Sequence, residues 1–465
     1  MSNKEKIIIG SVAAVVILAI VLLFVFGRKA ADPHPYKITL EVWGPIDDSD
    51  AFTEIFATYK TLNPQIAGIT YKKISYDTYK QELIDAMASG QGPDILLINN
   101  SWLPSFEDKI VPASAAVFSE QTFKQNFVDV CAQDFFASGA VWAAPLSANS
   151  LALYYNKDLF NEAGITSPPA DWNQFVDDAK RLTKINNSNN QITQSGAAIG
   201  TTANINRPTD ILSLLLLQGG SPIVDSTGKV TLNDARIING ENYSPAASAL
   251  NFYTNFANTS ASNYSWNSQM HYSIDAFSEG SLAMMLNYSW QIPVIQSKSP
   301  KLNFGIAPVP QLSGSSPVDY ANYWGFAVAK NKISPQGITN TIRTGEAWNL
   351  IRFMTTKPEH DWVAPSAGLG GGAVDPKFDP AANYLLKTEQ PAARRDLIEK
   401  QKTDPEMSAF VSGNLIAKSW YQKDPDADET ILTAMIDQVN KGEANVADAL
   451  TAATEKIAQT MKVSN

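Results

Sequence analysis

An α/β fold in two comparable halves is what this sequence predicts, and three observations carry the prediction. The N-terminal third alternates strand-like and helix-like hydrophobic patterns in the order strand, helix, strand, helix, strand, which is the pattern of a doubly wound lobe. PDILLIN (93–99) is a continuous apolar run of the kind buried on both faces in a parallel sheet. Strand-like runs then return in the second half, as SLAMMLNYSW (281–290), FGIAPVP and WGFAVAKNK.

The elements follow in order. KITLEVWG (37–44) alternates and stops at Gly44, as a first strand should. Phe52, Ile55, Phe56 and Tyr59 recur at helical spacing, which predicts a helix over 50–62. GITYKKISY predicts a second strand, and YKQELIDAMASG a helix closed by Gly90. Residues 141–156 read as extended and KDLFNEAGI as a short helix. In PPADWNQFVDDAKRLTK the prolines and Asp171 suit a helix start, with Asp171 as N-cap. Residues 186–210, rich in Asn, Ser and Thr, predict a loop or surface insertion, and DILSLLLLQGG an apolar helix ended by glycines. Residues 245–258 and 274–280 read as helical, and AWNLIRFMTT as a buried helix carrying Trp348, Ile351 and Phe353 near one face. The tail predicts two helices joined at Gly442, and no internal repeat is present.

Composition narrows the function classes. At roughly 100–200 residues per domain, 465 residues imply two or three folding units. The formal net charge is −10 and no Lys/Arg block follows residue 30, so nucleic acid is an unsuitable partner. The single cysteine, Cys131, closes no intramolecular disulfide and sits in the apolar stretch FVDVCAQDFF, where a small core residue is expected. Three histidines (His34, His271, His360) offer little for a metal cluster or a nucleophile pair, and no metal or cofactor is expected. GxSxG, HExxH, P-loop and CxxC patterns are all missing from the sequence. DDSD (47–50) and DPDADET (424–430) read as solvated acidic loops, and GLGGGAVD (368–375) as a mobile turn.

Residues 7–26, IIIGSVAAVVILAIVLLFVF, carry no charge and are followed by Gly27, Arg28 and Lys29. A signal-peptide core is about 7–15 residues and a membrane span about 20, so the length favours a retained anchor over 7–27. Residues 1–6 would then be cytoplasmic, 28–36 a linker, and the rest extracytoplasmic. Secretion after leader cleavage is the alternative.

The tryptophans sort by position. Trp172, Trp348 and Trp362 lie within or beside helical patterns and suit packing. Trp43, Trp102, Trp290 and Trp324 lie where predicted strands begin or end. Ligands of open α/β sheets bind outside the carboxyl ends of strands. An indole face suits a C–H-rich ligand, and Asp47, Asp48, Asn99 to Ser101, Asn287 and Ser289 could bond hydroxyls beside it.

Several stretches are more specific than this. ITLEVWG, YKQELIDAMASGQGPDILLINNSWLPSFEDK, PLSANSLALYYNKDLFNEAGITSPPADWNQFVDDAKRL, AFSEGSLAMMLNYSWQIP, FGIAPVPQL and AWNLIRFMTTKPEHDWVAPSAG follow one another over residues 36–420. In these the chain resembles the extracellular solute-binding proteins of family 1, the maltose-binding-protein-like receptors of ABC importers. The resemblance implies the two-lobe periplasmic-binding-protein fold (type II-like). Each lobe would be a mixed, mostly parallel sheet flanked by helices, with hinge strands between. It implies lobe I over 37–147 plus about 323–368, and lobe II over 150–320 plus about 370–465. The first hinge crossing would fall near Leu146–Ser150. It also implies a monomeric receptor that closes on a small-molecule ligand and is read by ABC permease subunits. Carried onto this sequence, the cleft residues are Trp43, Asp47, Asp48, Asn100, Ser101, Trp102, Asn149 and Trp290, with Trp324 and Gly370 of the Gly368–Gly372 turn. Family members commonly stack a sugar on an aromatic at the position of Trp290.

Two departures stand out. Positions that often carry charge in sugar receptors hold Asn, Ser and Asn here, and the leader has no lipobox cysteine. Arginine is scarce and absent from the matched cleft segments, which favours a neutral carbohydrate over an anion. Arg207, in INRPTD, is the arginine to follow. A membrane-tethered glycosidase using a carboxylate pair, or a sensor presenting ligand to a signalling partner, are the alternatives on the same fold.

Overall fold

Ile95–Asn99 is buried along nearly its whole length, as an inner strand should be. In the computed structural model this strand (β3) lies between Ile38–Gly44 (β1) and Trp324–Ala329 (β10). Ile66–Lys73 (β2) and the short Ile110–Val111 (β4) form the edges, giving the order β2-β1-β3-β10-β4. β1 pairs with β2 and β3 in parallel, whereas β10 runs antiparallel to β3 and β4. The structure describes residues 36–462 except 187, 190, 239–240, 335–336 and 359–376. The expected anchor at 7–27, most of the linker at 28–36, Trp362 and the Gly368–Gly372 turn with Gly370 lie outside the described residues. No described helix is long and apolar enough to cross a membrane.

A second sheet is built from Ala152–Asn156 (β5), Lys184–Asn186 (β6), Gln191–Ala197 (β7), Leu282–Asn287 (β8) and Phe304–Pro308 (β9), in the order β9-β5-β8-β7-β6. It too is mixed: β7 and β8 pair in parallel and the other pairs are antiparallel. β8, the LAMMLN stretch, is buried at every position.

β7 corrects the loop expected over 186–210. QITQSGA carries no apolar alternation strong enough to announce a strand, and its buried half is Ser195, Gly196 and Ala197. Small residues are required there because the helix Trp172–Leu182 lies directly on the strand. A Cβ on Gly196 would collide with the Ala179 carbonyl. The buried Ser195 hydroxyl is satisfied by the Ser265 carbonyl at 2.7 Å.

Elsewhere the local signals hold. Asp171 caps Trp172–Leu182, accepting from the backbone N–H groups of Asn173 and Gln174 at 2.9 Å each. Gly90, Gly220 and Gly442 all take positive φ just beyond helix ends, where a side chain would be strained. Cys131 is fully buried in the first core, and burial pushes its thiol well up.

Buried apolar side chains fall into two cores, one per sheet. The chain leaves the first core after Ala148 and enters the second at Leu151. It returns between Tyr320 and Ala321. Antiparallel bridges Ser150–Ala321 and Ser147–Ala392 tie these passages side by side. The segment from Ala381 to Ile398 packs in the first core, although the expected boundary put it in lobe II. Tyr384 accounts for this, since its ring lies 5.7 Å from Phe52 and its hydroxyl donates to Asp47. Arg394 adds a buried guanidinium held between Asp379 and Asp396.

Candidate functional site

β3 and β10 are antiparallel and Asn99 pairs with Trp324, so the end of one strand and the start of the other open at the same place. That place faces the second lobe across a cleft of about 1070 Å³, its open mouth included. The first lobe contributes the β3 exit, Asn99 to Trp102, together with Asn322, Trp324 and the first turn of the helix Tyr76–Ala88. The second contributes Arg207 and Asp210 at the start of the helix Pro208–Gln218, and Asp426 and Glu429 at the start of Pro425–Asn440.

The first-lobe wall is aromatic. Trp102 and Trp324 meet edge to face at 5.1 Å. Trp102 stacks on Phe106 at 5.3 Å, and Trp324 presents to Tyr76 and Tyr79 at 6.1 and 6.0 Å. Lys80 holds its ammonium 5.3 Å from the Trp102 ring.

A polar chain crosses the cleft floor. The Asn99 side-chain oxygen accepts from the Ser101 backbone N–H and hydroxyl, and its amide donates to Asn322 at 3.0 Å. Asn322 donates in turn to Asp210 at 3.4 Å, and the Tyr288 hydroxyl donates to the same carboxylate oxygen at 2.8 Å. Burial pushes the Asp210 carboxyl up, against the pull of Arg207 and these two donors. Burial also pushes Glu429 up, and Asp210 adds to it. Burial would lower Arg207, but Asp210 and then Tyr76 outweigh it, so the guanidinium stays firmly charged.

Of the residues expected from sequence, Asn100, Ser101, Trp102 and Trp324 come together on the cleft. Asn100 points partly inward, donating to Asp134 at 3.0 Å and accepting from the Tyr323 N–H. Asp134 also accepts from Tyr323 and Ser419, and burial pushes it up to about 6. Trp43 is 6% exposed and belongs to the first core, its N–H on Glu41 and Lys72 over its ring at 4.1 Å. Asp47 is buried against Tyr384, and burial pushes it up to about 6. Asp48 is exposed and pairs with Lys73 at 2.9 Å. Asn149 is buried at the lobe crossing, donating to Gln390 at 3.0 Å and accepting from Ser289.

Trp290 is partly buried at the exit of β8. Its ring stacks on Tyr288 at 4.4 Å and 20°, and the Arg207 guanidinium covers it at 5.9 Å. Sequence reasoning missed Tyr76, Lys80, Asp210, Tyr320, Asn322 and Trp420 on the cleft wall. It also read DPDADET as a solvated loop, whereas Asp426 and Glu429 form the cleft-facing first turn of a helix. An Asp at N-cap followed by Pro was the available signal.

Comparison with known proteins places this architecture. The family model described as bacterial extracellular solute-binding protein matches residues 43–360. The chain belongs to that family. Among relatives of this solute-binding protein, a binding protein of Brucella abortus (strain 2308) is 23% identical over 384 residues, covering 81% of this chain and 86% of that one. The multiple sugar-binding protein of Streptococcus mutans is 22% identical over 353 residues, covering 75% and 78%. Among solved structures, a cyclo/maltodextrin-binding protein in complex with maltotetraose superimposes with a TM-score of 0.70 at 16% identity, covering 93% of this chain and 99% of that one. The cyclic alpha-maltosyl-1,6-maltose binding protein of Arthrobacter globiformis gives 0.70 at 19% identity, covering 92% and 99%. The two-lobe fold is shared with these binding proteins, and the solute-binding protein is a ligand-delivery receptor by family.

Proposed function

We propose that this solute-binding protein captures a neutral mono- or oligosaccharide in the cleft and delivers it, by closure of the lobes, to the permease subunits of an ABC importer. The observation that carries the sugar is the aromatic wall of Trp102 and Trp324, with Asn322 beside it, standing across from the hydrogen-bonding groups Arg207 and Asp210. Sugar rings offer apolar C–H faces and polar edges, and this cleft offers both surfaces at once. The sugar-binding names of the Streptococcus mutans relative and of the solved neighbours support the reading. Closure would be a shift between open and closed populations about the passages at 149–150 and 320–321. The apolar stretch over 7–27 would tether the receptor with its lobes extracytoplasmic, a point that intact-mass measurement of membrane-extracted protein decides.

Isothermal titration calorimetry over a panel of sugars tests the ligand class. Heat with at least one neutral sugar is expected, and heat only with an organic phosphate or a polyamine overturns the assignment. The receptor reading further expects chromogenic glycosides to survive intact. Turnover of one of them would replace it with the tethered glycosidase.

A further inference from the structure

We propose that Asp134 is a positioning residue of the sugar site: its carboxylate fixes the Asn100 amide at the cleft and ties it to the passage that carries Trp420. This rests on the sugar-receptor reading above and names a residue that acts on that site through its neighbours.

Asp134 joins three segments far apart in the chain. It stands near the end of the helix Asp129–Phe135. One of its oxygens accepts from the Asn100 amide at 3.0 Å and from the Tyr323 hydroxyl at 2.8 Å. The other accepts from the Ser419 hydroxyl. Gln133, the residue before it, donates to the Ser419 carbonyl at 2.8 Å and to the Ser419 hydroxyl oxygen at 3.0 Å.

Each of these segments reaches the cleft. Asn100 lines it at the exit of β3, Tyr323 stands between the lining residues Asn322 and Trp324, and Ser419 precedes Trp420. Ala417 packs in the first core and Trp420 in the second, so Ser419 lies on a passage between the lobes. That passage runs beside the earlier one, with Asp319 and Tyr320 paired in parallel to Ala417 and Lys418.

The Asn100 amide has one orientation available. Its oxygen accepts from the Tyr323 N–H at 3.2 Å while its nitrogen donates to Asp134. Exchanging the two ends would set donor against donor at Tyr323 and oxygen against carboxylate at Asp134. One N–H and one lone pair of the amide remain, and these suit a sugar hydroxyl, which both donates and accepts. A polar group held in place before the ligand arrives spares binding the cost of ordering it.

Charge makes the arrangement testable. Burial pushes the Asp134 carboxyl up to about 6, against the pull of Ser419, Tyr323 and Asn100. The titratable groups around it are Cys131 on its own helix and Tyr320 and Tyr323 from the return passage, all held neutral by burial. Asp129, farther back on the helix, pairs with Arg395 at 2.6 Å. Once protonated, Asp134 becomes a donor and one of its three partners loses an acceptor. Affinity should therefore fall in acid, whereas the raised folded value makes the same protonation favour the folded state.

Calorimetry on the full-length protein in detergent tests this, with maltotriose and the wider neutral panel as probes. Asp134→Ala should weaken neutral-sugar binding about tenfold, the loss expected for hydrogen bonds to a charged group. Asp134→Asn should stay within about threefold of wild type near neutral pH, since its oxygen can still take Asn100 and Tyr323 while its amide donates to Ser419. Wild-type affinity should fall several-fold on acidification through about pH 6, and Asp134→Asn should lack most of that fall. In ligand-free wild type the Asn100 side-chain amide resonances should titrate over the same range, and in Asp134→Asn they should not.

Unchanged affinity in Asp134→Ala would overturn the proposal, as would parallel pH profiles for wild type and Asp134→Asn. An Asp134→Asn variant as weak as Asp134→Ala would place the effect in charge rather than positioning and sink it too. If Asp134→Ala fails to fold, the comparison of wild type with Asp134→Asn decides alone. Wild-type heat with any of these results removes this inference only, whereas wild-type protein silent to every sugar removes the sugar reading with it.

Discussion

Lys80 of the first lobe and Asp426 of the second meet at 2.6 Å across the mouth of the cleft. Lys80 also rests over Trp102, so a single side chain touches the aromatic wall and the opposite lobe. The pair is open to water, with the two side chains 28% and 72% exposed. Exposed pairs contribute at most about 1 kcal/mol, or about fivefold in an equilibrium. Lys80→Met should therefore weaken sugar binding by less than about fivefold, and the difference should shrink in high salt as screening removes the pair from the wild type too. Calorimetry at low and high ionic strength checks this. A loss of several orders of magnitude would instead mark Lys80 as a sugar contact.

Trp102 and Trp348 separate binding from folding. Trp102 faces the cleft, whereas Trp348 is 3% exposed and donates its N–H to the Val111 carbonyl at 3.0 Å. Trp102→Ala should weaken sugar binding by about 1–3 kcal/mol, the size of burying one large apolar side chain. Trp348→Ala should instead cost about 3–5 kcal/mol of stability in urea unfolding. If the two variants exchange these effects, the aromatic wall is not the binding surface.

Stability should fall as pH rises through the physiological range. Burial pushes Asp319 up to about 8 and Asp134 up to about 6, both at the junction of the lobes. Each carboxyl holds its proton more tightly folded than unfolded, where an Asp titrates near ~3.9. Their stabilising contribution is complete below ~3.9 and is lost as pH climbs through the folded values, up to about 8 for Asp319. Asp319→Asn mimics the protonated form, so its urea midpoint should flatten against pH relative to wild type. Parallel pH profiles for the two proteins would show that Asp319 does not titrate in this range.

Gly196 has no room for a methyl group, because a Cβ there would strike the Ala179 carbonyl. Gly196→Ala should cost about 1–3 kcal/mol, typical of overpacking, through separation of β7 from its covering helix. Thermal unfolding measures it, and an unchanged melting temperature would mean that the helix can shift without loss.

Much of the fold was legible because it is written in local chemistry. The run PDILLIN, the cap at Asp171 and the helix-ending glycines Gly90, Gly220 and Gly442 state their elements within a few residues. β7 was illegible for the opposite reason: its buried residues are small, and smallness reports the proximity of a partner helix rather than a strand period. The site divided in the same way. Asn100, Ser101, Trp102 and Trp324 were readable because they sit at strand ends. Tyr76, Asp210 and Trp420 belong to segments distant in sequence and join the cleft only through packing.

By itself the sequence determined two α/β halves, an acidic chain unsuited to nucleic acid, and a likeness to solute receptors at named motifs. These follow from periodicity, charge and short-range turn chemistry, which neighbouring residues decide among themselves. Only the tertiary structure decided that Trp43 is core, that the 381–398 segment packs in the first lobe, and that Trp290 lies beneath Arg207. Each of those depends on which distant side chain covers which, and burial and charge are set by neighbours in space rather than along the chain.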